Sequence, residues 1–534
     1  MPRRLLILGA GVMQGPAIRL AREQGLETIA VDGDPKAPCV ALADRFERID
    51  LKDKEALEAF ARSLKDSGGL VGVLTAGTDF SASVAWVAER LGLPGISYET
   101  ALNASDKERM RRCFAAAGVP SPKFTILREP PMPGLSLPFP YPMVVKPVDN
   151  MGSRGCRRAD GPEDLRKAVE DALSFSRSGR AIVEEFMEGP EFSIDSIVFR
   201  GEITICGVAD RHIFFPPYFI EMGHTIPSDL ESRSMEKLLG VFKQGVKALG
   251  ITDGAAKGDV KLTPRGPMIG EIAARLSGGY MSGWTYPYAS GVEPTRGAIA
   301  VALGEAPTDL EPKKDWTCAE RAFISIPGVV RSIENAEEVR RMDGVREVFF
   351  RIAPGSRVVF PENNVTKGGN IIVHAPTRGD AIDKAERAAR RVWVRLEAPN
   401  PETEAFLSNG PGLSDSVRPS FPPDAYPLTP LLEQRCRSIP EYVPSPGEAH
   451  RGEFRVFPFP ELLGSTLGDY MGRAPAESLE LAFHLCGCSI SISSDAPNLG
   501  RGFWASLIRG GYQGAAYYVD ALRSRFLDRG NSTV

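Results

Sequence analysis

The first hundred residues alternate between short apolar runs and amphipathic stretches. Arg4–Gly9 is an apolar run that closes in Gly9-Ala10-Gly11, and from Gly15 to about Glu23 the apolar residues recur at helical spacing. Thr28–Val31 ends at Asp32, Ala56–Leu64 reads as a helix, and Leu70–Leu74 is a further apolar strand before Thr75-Ala76-Gly77-Thr78-Asp79. Alternation of this kind predicts an open parallel sheet. Leu91-Gly92-Leu93-Pro94-Gly95 ends this unit, and Asp106 starts a helix from Lys107 to Ala117 that Gly118-Val119-Pro120 ends.

The pattern then shifts to a strand-rich one. Tyr141–Lys146 is an apolar strand ending in lysine, and Met151–Gly155 is a glycine-containing loop before a strand around Cys156–Arg157, which together predict a hairpin flap. Ala181–Glu184 is another apolar strand, and a second acid, Glu191, follows seven residues after Glu184. Gly258–Leu262 and Met268–Ala274 read as two strands joined through Pro264, Arg265 and Gly266. Symmetry about Arg265 sets Asp259 opposite Glu271 and Lys257 opposite Ala273. Such a pair has Cβ atoms about 4.5–5.5 Å apart, where like charges repel. A cation between the two acids resolves the conflict, and Mg²⁺ favours such oxygen ligands. A structural ion cluster with Lys257 and Arg275 satisfies this stretch equally well.

Composition narrows the classes. The 534 residues allow several domains, and 43% hydrophobic with 25% charged residues is the balance of a soluble globular protein. A net charge of −4 gives no electrostatic case for nucleic acid or an anionic membrane. No apolar run reaches about 18 residues. The eight cysteines are scattered apart from Cys486 and Cys488, which suits reduced thiols and a cytoplasmic setting. The glycine turn after the first strand has G-x-G-x-x-x-G spacing, one residue longer than a dinucleotide fingerprint, so a structural turn is favoured over an NAD site.

In order, Lys107, the Lys146 strand with its glycine loop, Glu184–Glu191 and Asp259…Glu271…Arg275 resemble the ATP-grasp ligases, and the resemblance runs from about Arg4 to Leu396. That superfamily includes D-alanine–D-alanine ligase, biotin carboxylase, the carbamoyl-phosphate synthetase large subunit and bacterial L-amino acid ligases. The resemblance implies an α/β and α+β multidomain protein: a Rossmann-like pre-ATP-grasp domain over 1–105, an ATP-grasp domain over 106–310, an α+β subdomain over 311–397, and an unassigned extension over 398–534. It implies ATP and Mg²⁺ as cofactors, with Mn²⁺ an alternative metal, small carboxylic acid and amine substrates, and a homodimer as a candidate assembly.

Carried over residue by residue, Lys107 and Lys146 resemble phosphate-contacting lysines, and Ser153, Arg154 and Gly155 the flap above them. Glu184 would face the adenine amino group, the backbone of Glu185, Phe186 and Met187 the ring edge, and Glu191 the ribose. Asp259 and Glu271 would hold Mg²⁺, while Arg275 would stabilise the transferring phosphoryl group. Many relatives carry asparagine two residues after the second acid; here Ala273 stands there, which puts a second ion in question. Glu221 and His224, and the backbone of Ser277, Gly278 and Gly279, are the candidates for substrate contact. The expected activity is ADP-forming carboxylate–amine ligation, with a bicarbonate-activating carboxylase or a non-catalytic nucleotide-binding member as alternatives. Prolines from Pro399 to Pro423 mark a linker-like stretch, and a final helix is expected after Gly510-Gly511-Tyr512.

Overall fold

Four strands pair in parallel in the order β3-β2-β1-β4: β1 (Arg4–Leu8), β2 (Glu27–Asp32), β3 (Arg45–Arg48) and β4 (Leu70–Leu74). Period-two alternation divides β1 between two cores. Leu5 and Ile7 pack with Ala17, Ile18 and Ala21 of α1 (Gly15–Glu23). Leu6 and Leu8 pack with Leu57, Ala61 and Leu64 of α2 (Lys54–Asp66) and with Val87, Ala88 and Leu91 of α3 (Ser81–Leu91). The computed structural model describes residues 2–132, 134–411, 413 and 420–530. It forms two units, Met1–Glu320 with Val373–Ile382, and Arg321–Ile372 with Asp383–Val534.

The glycine turn is closed by its own protein. Ala10 N–H donates to Asp32 Oδ2 at 2.8 Å and Gly11 N–H to Gln14 Oε1 at 2.9 Å. Asp32 also accepts from Asp34 N–H at 2.9 Å. The amides and the carboxylate that a dinucleotide site would use therefore serve the turn.

α4 (Tyr98–Ser105) leads into α5 (Lys107–Ala116), whose N-cap Asp106 accepts from Arg109 N–H at 3.1 Å. A small antiparallel sheet follows, ordered β5-β8-β6-β7 from β5 (Phe124–Leu127), β6 (Met143–Pro147), β7 (Arg157–Ala159) and β8 (Ala181–Glu185), with α6 (Pro162–Phe175) against it. The flap is the hairpin between β6 and β7.

The larger sheet places β9 (Glu191–Phe199) between β10 (Glu202–Phe214) and β12 (Gly254–Thr263), with β11 (Ile220–Ile226) beyond β10 and β13 (Gly266–Ala273) beyond β12. α7 (Ser232–Leu249) lays Leu238, Phe242, Val246 and Leu249 over Ile194, Val260, Ile269 and Ile272. Gly258 permits this approach, since a Cβ there would lie 2.6 Å from the Phe242 ring.

In the second unit, strand Gly328–Glu334 pairs antiparallel with Arg357–Val358 and with Trp393–Leu396. Helix Arg378–Arg391 leads directly into the last of these strands. The extension does not stand alone. Arg395 donates twice to Asp520, at 2.9 and 2.8 Å, and Tyr517 and Ala521 share a core with Val330, Val394 and Leu396. A second core gathers Trp504, Phe503, Phe483, Phe454 and Phe459. Arg501–Gly530 breaks at Gly511, whose φ of 60° and ψ of −147° end one helix and begin the expected last one. Cys486 ends helix Pro475–Cys486, and all eight cysteines are free. Residues 414–419 of the linker-like stretch lie outside the described residues.

Candidate active site

The β12–β13 hairpin pairs Asp259 with Glu271 and Lys257 with Ala273. Its turn is tighter than symmetry about Arg265 requires: Thr263 pairs with Gly266 and Val260 with Ile269. A bulge at Gly270 then shifts the register by one residue and brings the two acids opposite each other. Arg111 supports the bulge, donating from Nη2 to Gly270 O at 2.6 Å.

Both acids are ringed by cations. Asp259 Oδ1 lies 2.9 Å from Arg211 Nη1 and contacts the Lys257 ammonium, yet finds no aligned hydrogen bond. Glu271 Oε2 is 3.8 Å from Lys107 Nζ. Its surroundings oppose ionisation through burial, but Lys107, Lys146, Lys257 and Arg275 outweigh that and hold its carboxyl at about 2. Lys107 is buried and donates to Asn150 O at 2.7 Å, which ties it to the root of the flap. In the flap Ser153 and Gly155 take left-handed φ values of 60° and 64°, and Arg154 Nη1 donates to Asn150 Oδ1 at 3.1 Å.

Glu184 departs from the expected adenine contact. Its buried carboxylate accepts from Arg111 Nε at 2.7 Å and sits 2.8 Å from Lys146 Nζ. Burial opposes its charge, and the two cations reverse that and lower its pKa. On β8 alternation points Glu184 inward, while Glu185 turns to Arg265 at 3.0 Å and Lys123 N at 3.1 Å. The expected ring edge keeps one free donor. Glu185 N–H and Phe186 N–H donate to Lys123 O and Pro142 O, whereas Met187 N–H has no acceptor among the described residues. Phe186 stacks on Phe219 with centroids 6.4 Å apart, and Lys261 Nζ lies 5.2 Å from its ring centre.

Two arginines escaped the sequence reading. Arg111, one turn after Lys107 on α5, is fully buried, and that i, i+4 spacing on a helix face was the available signal. Arg211 on β10 contacts Glu191, Glu221 at 2.9 Å and Asp259 together. Three candidate ligand-binding carboxylates therefore converge on one guanidinium. No sequence spacing signals this, because the three acids come from three other strands.

On the substrate side, His224 differs from the contact expected of it. It is fully buried, with Nδ1 3.3 Å from a Glu320 carboxylate oxygen and Nε2 3.0 Å from Thr285 Oγ1. That setting braces the strand carrying Glu221. Ser277 N–H is likewise occupied, by Ser282 Oγ at 2.9 Å and Asp195 Oδ1 at 3.3 Å. Gly278 and Gly279 N–H have no acceptor among the described residues. Arg275 Nη1 donates to Leu276 O at 3.0 Å.

Residues 139–283 match the ATP-grasp domain family, and residues 322–397 match the L-amino acid ligase C-terminal domain 2 family. These two matches agree with the resemblance read from the order of the motifs. Its fold is similar to that of the L-amino acid ligase from Bacillus licheniformis, with a TM-score of 0.66 and 21% identity over 74% of this chain and 99% of that one. An uncharacterised protein of Sinorhizobium fredii is 25% identical over 70% of this chain and 79% of its own length. Carnosine synthase 1 of Gallus gallus is 26% identical over 57% of this chain; the match spans only 35% of that relative's length.

The ATP-grasp hairpin fits a divalent cation in one way. No group of three His, Cys, Asp or Glu side chains is poised for a metal among the described residues. Mg²⁺ commonly takes one or two carboxylates and completes its shell with water and phosphate oxygens. Asp259 and Glu271 would supply that pair, with Asp259 Oδ1 buried, in ion contact with Arg211 and Lys257 but without an aligned hydrogen bond. Among the described residues, no helix is long and apolar enough to cross a membrane.

Proposed function

We propose that the chain is an ATP- and Mg²⁺-dependent, ADP-forming carboxylate–amine ligase acting through an acyl phosphate, on an amino acid or another small carboxylic acid. The observation that carries this reading is the Asp259–Glu271 pair with Lys107, Lys146, Lys257 and Arg275 acting on Glu271. Mg²⁺ bound there would neutralise triphosphate charge and orient it for in-line transfer.

The chain's own residues do the positioning. Lys107 and Lys146 receive phosphate oxygens as fixed positive charges, and the Ser153–Gly155 flap excludes water. Met187 N–H is the donor for the adenine edge, and Glu191 the acceptor for ribose. A donor carboxylate oxygen attacks the γ-phosphorus, the bond to the β-bridging oxygen breaks, and ADP leaves with that electron pair. Arg275 stabilises charge on the transferring group and on the acyl phosphate. A neutral amine nitrogen then attacks the acyl carbon and gives up a proton to solvent, the carbon–oxygen bond to phosphate breaks, and inorganic phosphate departs.

The L-amino acid ligase domain match and the likeness to carnosine synthase support amino-acid-like substrates. A screen of amino acids and small acids for ADP release tests this. Release that needs both an acid and an amine, and that Glu271→Gln abolishes, is the expected result. Release that needs only bicarbonate would replace the reading with a carboxylase.

A further inference from the structure

One carboxylate near the site has no partner. Asp79 lies in the loop after β4, two residues before α3 begins. It is partly buried and makes no hydrogen bond or ion pair among the described residues. Every acid of the hairpin, β8, β9 and β11 assigned above has a cation against it. Asp79 lies within electrostatic reach of Lys107, Arg275 and Glu271, but burial dominates and pushes its carboxyl up. A buried carboxylate left in this state gains from a cation that arrives from outside.

Backbone contacts place the loop that carries Asp79. Ala76 forms a parallel bridge with Leu276, and Gly77 N–H donates to Leu276 O at 3.2 Å. A Cβ on Gly77 would lie 3.4 Å from Gly278 Cα, so the loop lies against the segment immediately after Arg275. Gln14, buried beneath the loop, donates from Nε2 to Ala76 O and holds it from the other side. The Asp79 loop is thus anchored on the downstream side of Arg275, away from the hairpin turn.

We infer that Asp79 is the group that recognises the acceptor substrate, binding the ammonium of a primary amine beside the acyl group held at Arg275, from where the nitrogen releases one proton to solvent and attacks as the neutral amine. This rests on the ligase reading and narrows it: the acceptor is a cationic amine, and neutral or anionic acceptors are disfavoured. The role is recognition, so the first half-reaction does not need Asp79.

The test separates the two halves. Hydroxylamine, largely uncharged at neutral pH, captures an acyl phosphate as a hydroxamate without needing an ammonium site. Wild type and Asp79→Asn are compared for ATP-dependent hydroxamate formation with the acid found active, and for KM with the twenty common amino acids as acceptors. The expected result is hydroxamate formation and ATP KM within about twofold of wild type, with amine KM raised about ten- to a hundredfold, the loss of one charged hydrogen bond. An unchanged amine KM overturns the inference. Loss of hydroxamate in a folded, ATP-binding Asp79→Asn also overturns it, because Asp79 would then serve the metal or the donor acid. A wild-type protein that forms no hydroxamate with any acid removes the ligase reading first, and this inference with it.

Discussion

Arg111→Met tests whether one buried arginine supports both the nucleotide strand and the metal hairpin. The guanidinium is fully buried, donates to Glu184 at 2.7 Å and donates to the bulge carbonyl of Gly270 at 2.6 Å. Methionine keeps most of the volume, so the cost is polar rather than a cavity. A hydrogen bond to a charged group is worth about 1.5–3 kcal/mol, and a buried carbonyl without its donor costs about 1–3 kcal/mol. Lys146 stays against Glu184, which limits the electrostatic part. Together these give about 3–5 kcal/mol, the range found when one partner of a buried ion pair is removed. Hydrogen exchange read on β8 and β13 is the assay, because the two-unit chain has no single unfolding transition. Exchange there is expected to accelerate by about two to three and a half orders of magnitude, roughly 1.4 kcal/mol per tenfold. Exchange within about fivefold of wild type would refute the reasoning.

Three further outcomes follow from the same geometry. Glu271 is held at about 2 and Glu184 is lowered, so their contribution to folding is complete above the ordinary carboxylate range near 4.5 and is lost as pH falls through their native values; the thermal midpoint of the first unit should drop from about pH 4.5 down towards 2, and Glu184→Gln should flatten that fall. Arg211→Met leaves Glu191, Glu221 and Asp259 mutually repelling, so Mg²⁺ alone should raise the melting temperature of this variant more than that of wild type; equal shifts would show that the guanidinium does not restrain the metal acids. Gly511→Ala forces a side chain into a conformation of φ 60° and ψ −147°, which should cost about 1–3 kcal/mol in urea unfolding of the second unit.

How much of the fold was legible depends on whether its cause is local. The Rossmann-like alternation and the helix from Lys107 were readable because apolar period and capping are local signals. The polar edge strand Arg45–Arg48 was not, because its residues do not alternate and pairing with β2 alone defines it. Trp393–Leu396 was not legible as a strand either, because its partner Gly328–Glu334 lies some sixty residues earlier. The Asp259–Glu271 pairing was read from a symmetric turn, but the protein reaches it by a tight turn and a bulge that cancel by one residue. Glu184 was assigned to adenine by resemblance alone, which does not show the Arg111 guanidinium 73 residues away that its carboxylate meets. His224 lies near the substrate candidates in sequence, but strand alternation buries it against Glu320.

The central claim is transfer of a phosphoryl group from ATP to a carboxylate oxygen before amide formation. Turnover with a donor acid labelled with ¹⁸O in both carboxylate oxygens, followed by mass analysis of the inorganic phosphate released, addresses it most directly. The account predicts one ¹⁸O atom in each phosphate, because the acyl carbon–oxygen bond breaks when the amine attacks. Phosphate free of ¹⁸O under amine-dependent turnover would contradict it.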